Sequence, residues 1–362
     1  MMADITDFIK KDMTEFIGYA AATSLDELEE KGADVSGAIK LDANENPYGC
    51  SPKVKEALGK YIGYNIYPDT GQRQLKKLLA NYTGASPQQI VAANGSDQLI
   101  DTITRLFVSG GDEVIDFSPT FQMYEFSTRL CGGKVVVVKR DENFAIKTGM
   151  VKKAVTPKTK LIFIANPNAP SGNLTPQRDI EEILKIGVPT VIDEAYYEFC
   201  GQTALPLMKS YPNLMVIRTF SKWAGLAGLR MGYGVFPVTL AKVVMKIKEP
   251  YSVSMAAQIA AKETFKDMVP LTRKIELIKT ERERLYGQLK ELSWLKPYPS
   301  VANFILCYIK GGRAKEITLA LKQKGILVRY FERAELKDYL RISVGKPQET
   351  DILIKALREI GE

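Results

Sequence analysis

The sequence contains no histidine. This absence excludes a Ser-His-Asp or Cys-His nucleophile system and any metal site with histidine ligands. Proton transfer must then use lysine, tyrosine, aspartate, glutamate, cysteine or a cofactor. The four cysteines, Cys50, Cys131, Cys200 and Cys307, lie far apart and form no C-x-x-C pair. We therefore expect reduced thiols and no metal site.

Long apolar runs are also missing. We find no apolar stretch of about 18 residues, the length that spans a bilayer. The N-terminal residues mix acids and bases and lack the apolar stretch of a signal peptide. These features predict a cytoplasmic protein with no membrane partner.

Charges of both signs are plentiful, with 50 Lys and Arg against 42 Asp and Glu and a net charge of +8 over 362 residues. The basic residues are scattered among acids, which is typical of a solvated surface and not of a nucleic-acid interface. The positive field suits small anionic ligands instead. The length suits two packed domains or one large α/β unit.

Strand-like runs alternate with helical patterns from about residue 73 to 250. Nearly continuous apolar runs are typical of strands buried on both faces. The strand runs lie at 90–93, 113–117, 134–138, 160–165, 188–193, 214–219 and 230–236, and the helical patterns near 73–82, 97–109, 120–131, 178–186 and 238–248. This alternation predicts an α/β fold with a mostly parallel sheet, whose ligands bind at the carboxyl ends of the strands.

The pattern changes after residue 255. A long charged helix over 256–293, which Pro270 can break, is followed by strands at 302–309, 326–331 and 339–345 and helices at 313–324 and 347–360. We predict a large domain at 46–255, a smaller α+β domain at 256–362, and an N-terminal segment, 1–45, that packs on the smaller domain.

The stretch TFSKWAGLAGLR (219–230) directly follows a predicted strand. Its lysine, Lys222, can form a Schiff base with an aldehyde, and the small residues allow a close approach of a ligand to the backbone. Arg230 suits bidentate phosphate binding. The alternative is a surface lysine beside a glycine-rich loop.

Two further polar groups follow predicted strands. Asp193 ends the buried run in VIDEAYYEF (191–199), where a carboxylate needs a partner or caps the next helix. Ser96 and Asp97 open a helix in NGSDQLI (94–100), which is typical of a phosphate site or of an ordinary N-cap.

The remaining candidates are aromatic, amide and guanidinium side chains. Phe121 in SPTFQMY (118–124) can stack on a flat ring or fill the core. Asn166 or Asn168 in the rigid NPNAPSG loop can contact a ligand oxygen. Arg329 and Arg341 near strand ends are candidate anion anchors or surface arginines.

Taken together, these motifs are similar in order to those of the fold-type I aminotransferases, and most closely the histidinol-phosphate aminotransferases. The resemblance runs from about Tyr19 to the C-terminus and includes LDANENPYG (41–49), YNIYPD (64–69), RTFSKWAGLAGLRMGY (218–233) and LRISVG (340–345) as well as the motifs above. It implies a fold-type I transferase with a mostly parallel, seven-stranded sheet flanked by helices and a smaller α+β domain.

The implied activity depends on pyridoxal 5'-phosphate and moves an amino group between L-histidinol phosphate and 2-oxoglutarate or L-glutamate in histidine biosynthesis. Aromatic amino acid aminotransferases and threonine-phosphate decarboxylases share the scaffold and remain alternatives. A non-catalytic regulator on the same fold is an alternative of another class, but the joint presence of Lys222, Asp193 and Arg230 favours an enzyme.

The resemblance also implies cofactor roles for individual residues. Lys222 would form the Schiff base and transfer the proton, Asp193 would pair with the pyridine nitrogen, and Tyr196 would contact the ring oxygen. Phe121 takes the stacking position. The phosphate cup would comprise Ser96, Asp97, Ser221 and Arg230. Tyr67 is similar to a tyrosine that reaches the cofactor phosphate of the neighbouring subunit, which implies a homodimer with shared sites.

On the substrate side, Arg341 matches the family's arginine for the substrate anion, and Arg329 and Tyr19 would hold the substrate phosphate. Asn44 and Asn46 would belong to the wall of the substrate site. One departure concerns the NPNAPSG loop, where Ala169 stands in place of an asparagine that contacts the ring oxygen. The contact is therefore lost, with Tyr196 carrying more of the binding, or Asn168 supplies it through a shift of the loop.

Overall fold

The computed structural model of the protein describes residues 4–14, 16, 18–19, 24–30, 32 and 35–361. In this part of the chain the strands form one seven-stranded and one five-stranded sheet. The first strand, β1 (Ile39–Leu41), belongs to the five-stranded sheet. None of the helices within the described ranges is both long and apolar enough to cross a bilayer.

The seven-stranded sheet has the order β2-β8-β7-β6-β5-β3-β4. Its strands are β2 (Ile90–Asn94), β3 (Glu113–Asp116), β4 (Lys134–Val137), β5 (Thr159–Ala165), β6 (Thr190–Asp193), β7 (Leu214–Thr219) and β8 (Met231–Val235). Only β8 runs antiparallel to its neighbours in this sheet, β2 and β7. The predicted mostly parallel sheet and all seven of its strand runs are confirmed.

Helices surround the two sheets. Their bounds are α1 (Lys11–Thr14), α2 (Leu25–Glu30), α3 (Pro52–Lys60), α4 (Arg73–Thr83), α5 (Gly95–Phe107), α6 (Met123–Leu130), α7 (Thr148–Ala154), α8 (Gln177–Leu184), α9 (Tyr197–Cys200), α10 (Val238–Ile247), α11 (Met255–Lys266), α12 (Met268–Lys290), α13 (Ala314–Gln323) and α14 (Pro347–Gly361). Single 3-10 turns occupy Ile5–Phe8, Pro87–Gln89, Leu205–Lys209, Ala227–Leu229 and Lys310–Gly312.

Both faces of the large sheet are buried, because alternate residues of each strand point to opposite sides. In β5, Leu161 and Phe163 pack with α5 and α6 on one face, whereas Ile162 and Ile164 pack with α8 on the other. This two-sided burial explains why the strands appear in the sequence as nearly continuous apolar runs.

The five-stranded sheet has the order β1-β11-β12-β10-β9. Its other strands are β9 (Leu295–Pro297), β10 (Phe304–Ile309), β11 (Ile326–Tyr330) and β12 (Tyr339–Ser343). Strand β1 pairs in parallel with β11, so residues 39–41 belong to the C-terminal sheet. The predicted domain boundaries stay predictions.

The expected helix break at Pro270 is wrong. The chain instead leaves helical geometry at Asp267 (φ −126°, ψ 33°), between α11 and α12. Pro270 lies in the first turn of α12, where backbone N–H groups have no intrahelical acceptor and proline is tolerated. Asp267 accepts a hydrogen bond from Ser51 and forms an ion pair with Lys53 at 2.9 Å, which fix the break.

Candidate active site

A cavity of about 370 Å³ lies where the carboxyl ends of β5, β6 and β7 approach the five-stranded sheet. Most residues that the sequence singled out line it. They are Tyr19, Asn44, Ser96, Asp97, Phe121, Asp193, Tyr196, Ser221, Lys222, Arg230, Arg329 and Arg341. Asn168 and Tyr67 are not among the lining residues, and Asn46 lies behind the wall, where its side-chain amide donates to the carbonyl of Trp223 at 2.7 Å.

Asp193 closes the bottom of the cavity at the last position of β6. The strand register aligns it with Ala165 of β5 and Ile217 of β7. Its carboxylate is buried and accepts hydrogen bonds from the Tyr124 hydroxyl at 2.8 Å and from the Ala195 N–H at 3.1 Å. Burial raises the pKa of Asp193 to about 7, although both hydrogen bonds act in the opposite direction. Such a carboxylate is suited to pair with a cationic ring N–H group.

Lys222 projects into the cavity from the turn that follows β7. Its Nζ donates to the Ala43 carbonyl at 3.0 Å. Removal from bulk water, together with the positive charge of Arg341, lowers the pKa of Lys222 to about 8. A substantial fraction of this amine is therefore neutral near physiological pH, and the neutral amine is the form that attacks an aldehyde.

The start of α5 forms an anion cradle with the loop after β7. Gly95 has φ +76°, which is strained for residues with a side chain, and a Cβ there would lie 2.5 Å from Nη2 of Arg230 and push the guanidinium aside. Arg230 donates to the Asp97 carboxylate at 2.7 Å and lies 3.5 Å from the Ser221 hydroxyl. A helix N-terminus beside a guanidinium and a hydroxyl suits a phosphate group.

Asn44 joins the wall of the cavity to the five-stranded sheet. Its side-chain amide donates to the Tyr196 hydroxyl at 2.9 Å, and its backbone N–H donates to Ser343 of β12 at 2.9 Å. Asn303 in turn donates to the Asn44 carbonyl at 2.9 Å. Because Asn44 has φ +55°, these bonds hold a backbone conformation that L-residues rarely adopt.

Arg329 and Arg341 enter the cavity from β11 and β12, where they are direct cross-strand partners. Arg341 donates through Nη2 to the Asp42 carbonyl at 2.7 Å. Its buried Nε has no hydrogen-bond partner among the described residues. A buried guanidinium N–H group that lacks an acceptor indicates where an anionic ligand would bind.

Asn168 does not reach the cavity, contrary to expectation. It is fully buried, and its amide oxygen accepts from the Thr120 hydroxyl at 2.8 Å. Its amide nitrogen donates to the Pro119 carbonyl at 3.1 Å and to the Ser171 hydroxyl at 2.7 Å. The loop thus uses the whole side chain, and Ala169 lines the cavity instead.

Tyr67 lies on the surface, 77% exposed, with its ring stacked on Tyr251 at a centroid distance of 4.3 Å. It therefore does not contribute to the cavity of its own chain.

Residues 36–357 match the family model for aminotransferases of class I and II. The chain belongs to this family.

This aminotransferase is similar over most of its length to proteins named histidinol-phosphate aminotransferase. It is 51% identical over 362 residues to histidinol-phosphate aminotransferase of Dehalococcoides mccartyi, covering 100% of both chains. It is 40% identical over 356 residues to histidinol-phosphate aminotransferase 1, chloroplastic, of Arabidopsis thaliana, covering 97% of this chain and 85% of that one. The crystal structure of histidinol-phosphate aminotransferase from Sinorhizobium meliloti in complex with pyridoxal-5'-phosphate superposes with a TM-score of 0.89 at 28% identity, covering 98% of this chain and 97% of that one.

Sequence reasoning missed several residues that line the cavity of this aminotransferase. Tyr124 and Thr120 lie inside the SPTFQMY motif, and Glu45 lies inside LDANENPYG, so the motifs themselves held the signal. Arg333 lies in the segment between β11 and β12 and has no comparable signal. It forms an ion pair with Glu125 of α6 at 3.1 Å and thereby connects that segment to the opposite wall.

Proposed function

We propose that this aminotransferase uses pyridoxal 5'-phosphate to transfer an amino group between L-histidinol phosphate and 2-oxoglutarate, a step of histidine biosynthesis. The observation that carries the proposal is the convergence of Lys222, Asp193 and the Arg230 cradle in one cavity, facing two arginines of the other sheet. The relatives named above support the choice of substrate.

The cavity fits the cofactor group by group. The cradle of Ser96, Asp97, Ser221 and Arg230 would hold its phosphate. Asp193 would pair with the ring nitrogen, Tyr196 would contact the ring oxygen, and Phe121 would cover one face of the ring. Lys222 would bind the aldehyde carbon. When bound, the cofactor supplies an electron sink for the negative charge that develops at the amino-bearing carbon of the substrate.

Lys222 and Asp193 divide the proton chemistry between them. The Lys222 amine, whose pKa is lowered to about 8, would take the proton from the amino-bearing carbon and return it at the cofactor carbon. Asp193, in its ionised form, would keep the ring nitrogen protonated. Lys222 would therefore act as the base that moves the proton, whereas Asp193 would act as a fixed anion.

The two arginines suit a pair of anionic substrates. Arg329 and Tyr19 would hold the phosphate of histidinol phosphate. Arg341, whose Nε lacks an acceptor among the described residues, would bind the substrate anion, including the carboxylate of glutamate. The net charge of +8 favours the approach of both ligands.

We also propose a homodimer with shared sites, in the cytoplasm. An exposed apolar patch around Tyr67 supports the dimer, since its members Ile62, Ile66 and Tyr67 are 95%, 64% and 77% exposed. Tyr67 would reach the cofactor phosphate of the neighbouring subunit. The four cysteines are free thiols, as is usual in a reducing compartment.

The dimer is tested by complementation. Lys222→Ala and Tyr67→Ala should each be nearly inactive, because each destroys every site of its own dimer. Random re-association of equal amounts should restore about a quarter of wild-type activity, since half of the dimers are mixed and each mixed dimer has one intact site. No recovery in a mixture that light scattering shows to exchange subunits would contradict shared sites.

The function is tested by a half-reaction. We would load the protein with pyridoxal 5'-phosphate and follow its visible absorbance after adding histidinol phosphate, phenylalanine or threonine phosphate separately. We expect rapid conversion to the amino form of the cofactor by histidinol phosphate. Conversion by phenylalanine alone would contradict the proposal that histidinol phosphate is the substrate. Lys222→Ala should lose the reaction, whereas Lys248→Ala, which removes a buried lysine outside the cavity, should keep it.

A further inference from the structure

The Tyr124 side chain is held in a single position against Asp193. Tyr124 is fully buried in the first turn of α6, and its hydroxyl donates to Oδ2 of Asp193 at 2.8 Å. Its ring stacks on Phe163 of β5, with a centroid distance of 4.7 Å and an interplanar angle of 4°. It also meets Phe121 edge-on at 5.7 Å and 84°. The ring contacts thus fix the direction of the hydroxyl.

The surroundings of Asp193 otherwise oppose its negative charge. Burial raises its pKa, and the negative charges of Asp97 and Glu194 raise it further. Asp116 and Tyr196 are the other titratable groups that act on Tyr124. Against these, two donors face the carboxylate, the Tyr124 hydroxyl on Oδ2 and the Ala195 N–H on Oδ1. Each stabilises the ionised form.

Tyr124 is suited to this role because it stays neutral. Burial and the neighbouring Asp193 raise the pKa of its hydroxyl well above the usual value. The proton of this hydrogen bond therefore remains on the tyrosine, which acts only as a donor to Asp193. A donor that does not titrate in the working range gives Asp193 a constant environment.

We propose that Tyr124 is a positioning residue for the cofactor, which acts through Asp193 by holding its carboxylate ionised and aimed at the ring nitrogen. The inference rests on the proposed function, since it takes the ring nitrogen as the partner of Asp193. If Tyr124 served only to fill the core, loss of its hydroxyl would change stability alone.

Tyr124→Phe tests the proposal, because it removes one atom and keeps the ring contacts with Phe163 and Phe121. Tyr82→Phe is the matched control. The Tyr82 hydroxyl also donates to a carboxylate, that of the partly buried Glu198 at 3.0 Å, but neither residue lines the cavity. Both variants would be purified without cofactor and titrated with pyridoxal 5'-phosphate, and occupancy would be followed by visible absorbance as the pH is lowered.

We expect Tyr124→Phe to bind the cofactor about tenfold to a hundredfold more weakly, the usual effect of losing a hydrogen bond to a charged group. Its pH of half-maximal occupancy should move upward, since Asp193 is protonated at a higher pH without the donor. In the holoenzyme kcat should fall more than KM for histidinol phosphate rises. Tyr82→Phe should keep the wild-type affinity and pH of half-maximal occupancy.

A double-mutant cycle decides whether Tyr124 acts through Asp193. In an Asp193→Asn background, Tyr124→Phe should have little further effect on cofactor affinity. Additive losses would overturn the proposal, as would wild-type affinity and pH dependence in Tyr124→Phe.

A second probe covers the case in which the phenylalanine variant does not fold. Incorporating 3-fluorotyrosine at position 124 makes the hydroxyl a stronger donor, so the pH of half-maximal occupancy should move downward, and an unchanged value would overturn the proposal. Failure of the wild-type protein to bind cofactor at all would instead refute the proposed function.

Discussion

Replacing Glu194 by glutamine should destabilise the protein strongly, because it leaves a buried arginine without its counter-ion. Both Glu194 and Arg218 are at most 2% exposed. Oε2 of Glu194 accepts from Nε of Arg218 at 2.9 Å and lies 2.8 Å from Nη2, which donates to the Thr203 hydroxyl. The Arg218 guanidinium also lies 3.5 Å from the centre of the Tyr197 ring. The pair joins Glu194, in the loop that follows β6, to Arg218 of strand β7, next to Asp193 and shortly before Ser221.

The expected loss in the free energy of unfolding follows from the burial of the Glu194–Arg218 pair. Breaking a buried ion pair by removing one charge costs about 3–5 kcal/mol, since the other charge stays desolvated. Glutamine retains the shape and one oxygen acceptor, so we expect the lower end, about 3 kcal/mol, which corresponds to roughly a hundredfold change in the unfolding equilibrium.

The assay is urea denaturation of the cofactor-free protein at pH 7, followed by tryptophan fluorescence. Glu182→Gln is the matched control, because Glu182 forms exposed ion pairs with Lys152 and Lys185, both at 2.8 Å, and should change stability little. Replacing both members of the buried pair, as Glu194→Gln with Arg218→Met, should recover much of the loss. Equal effects of Glu194→Gln and Glu182→Gln would refute the reasoning.

Three further predictions concern the cavity. Gly95→Ala should weaken cofactor binding about tenfold or more, because its Cβ would displace Arg230. Gly111→Ala is the control, since Gly111 has φ +84° and no atom within 4 Å, and it should lower stability alone. Equal cofactor affinities of the two variants by titration would contradict this prediction. Asp193→Asn should stabilise the cofactor-free protein at pH 8 by on the order of 4 kcal/mol, from a pKa raised from 3.8 to about 7, and much less below pH 4. The sign follows because burial raises the folded-state pKa of Asp193 to about 7, so its contribution to stability is lost as the pH rises through 7, and a pH-independent difference in urea denaturation would refute it. Capture of pyridoxal 5'-phosphate by Lys222 should accelerate as the pH rises through about 8, and stopped-flow absorbance showing the rise near the pKa of an ordinary lysine would contradict the lowered value.

The large sheet was predictable because strands buried on both faces appear in the sequence as nearly continuous apolar runs. Every strand of β2 to β8 coincides with an apolar run, to within one or two residues at most ends. The helices and strands that the sequence did not predict are short or bury few apolar side chains. Helix α3 has a single buried residue, Val54, and β1 and β9 have three residues each. Such short or weakly amphipathic segments depend on tertiary partners that no local pattern shows.

The site residues were predictable where the residue type suits a single chemical role at the end of a strand. Lys222, Asp193 and Arg230 meet in the cavity as the order of the motifs indicated. Asn168 was misplaced because an amide can serve either a ligand or its own loop, and the sequence does not show that Thr120 and Ser171 use it. The role of Tyr67 stays a prediction, because it depends on a second copy of the chain.

The arrangement of the two sheets separates reactivity from selectivity. The groups expected to hold the cofactor come from the seven-stranded sheet and α5, whereas Arg329 and Arg341 face each other on β11 and β12 of the other sheet. Exchange of Arg329 would alter which anion is selected while the Lys222 and Asp193 geometry stays intact, whereas exchange of Arg341 would also change the pKa of Lys222. We therefore expect that gene duplication and divergence, or directed evolution, can change the amino-group donor at Arg329 without rebuilding the Lys222 and Asp193 site.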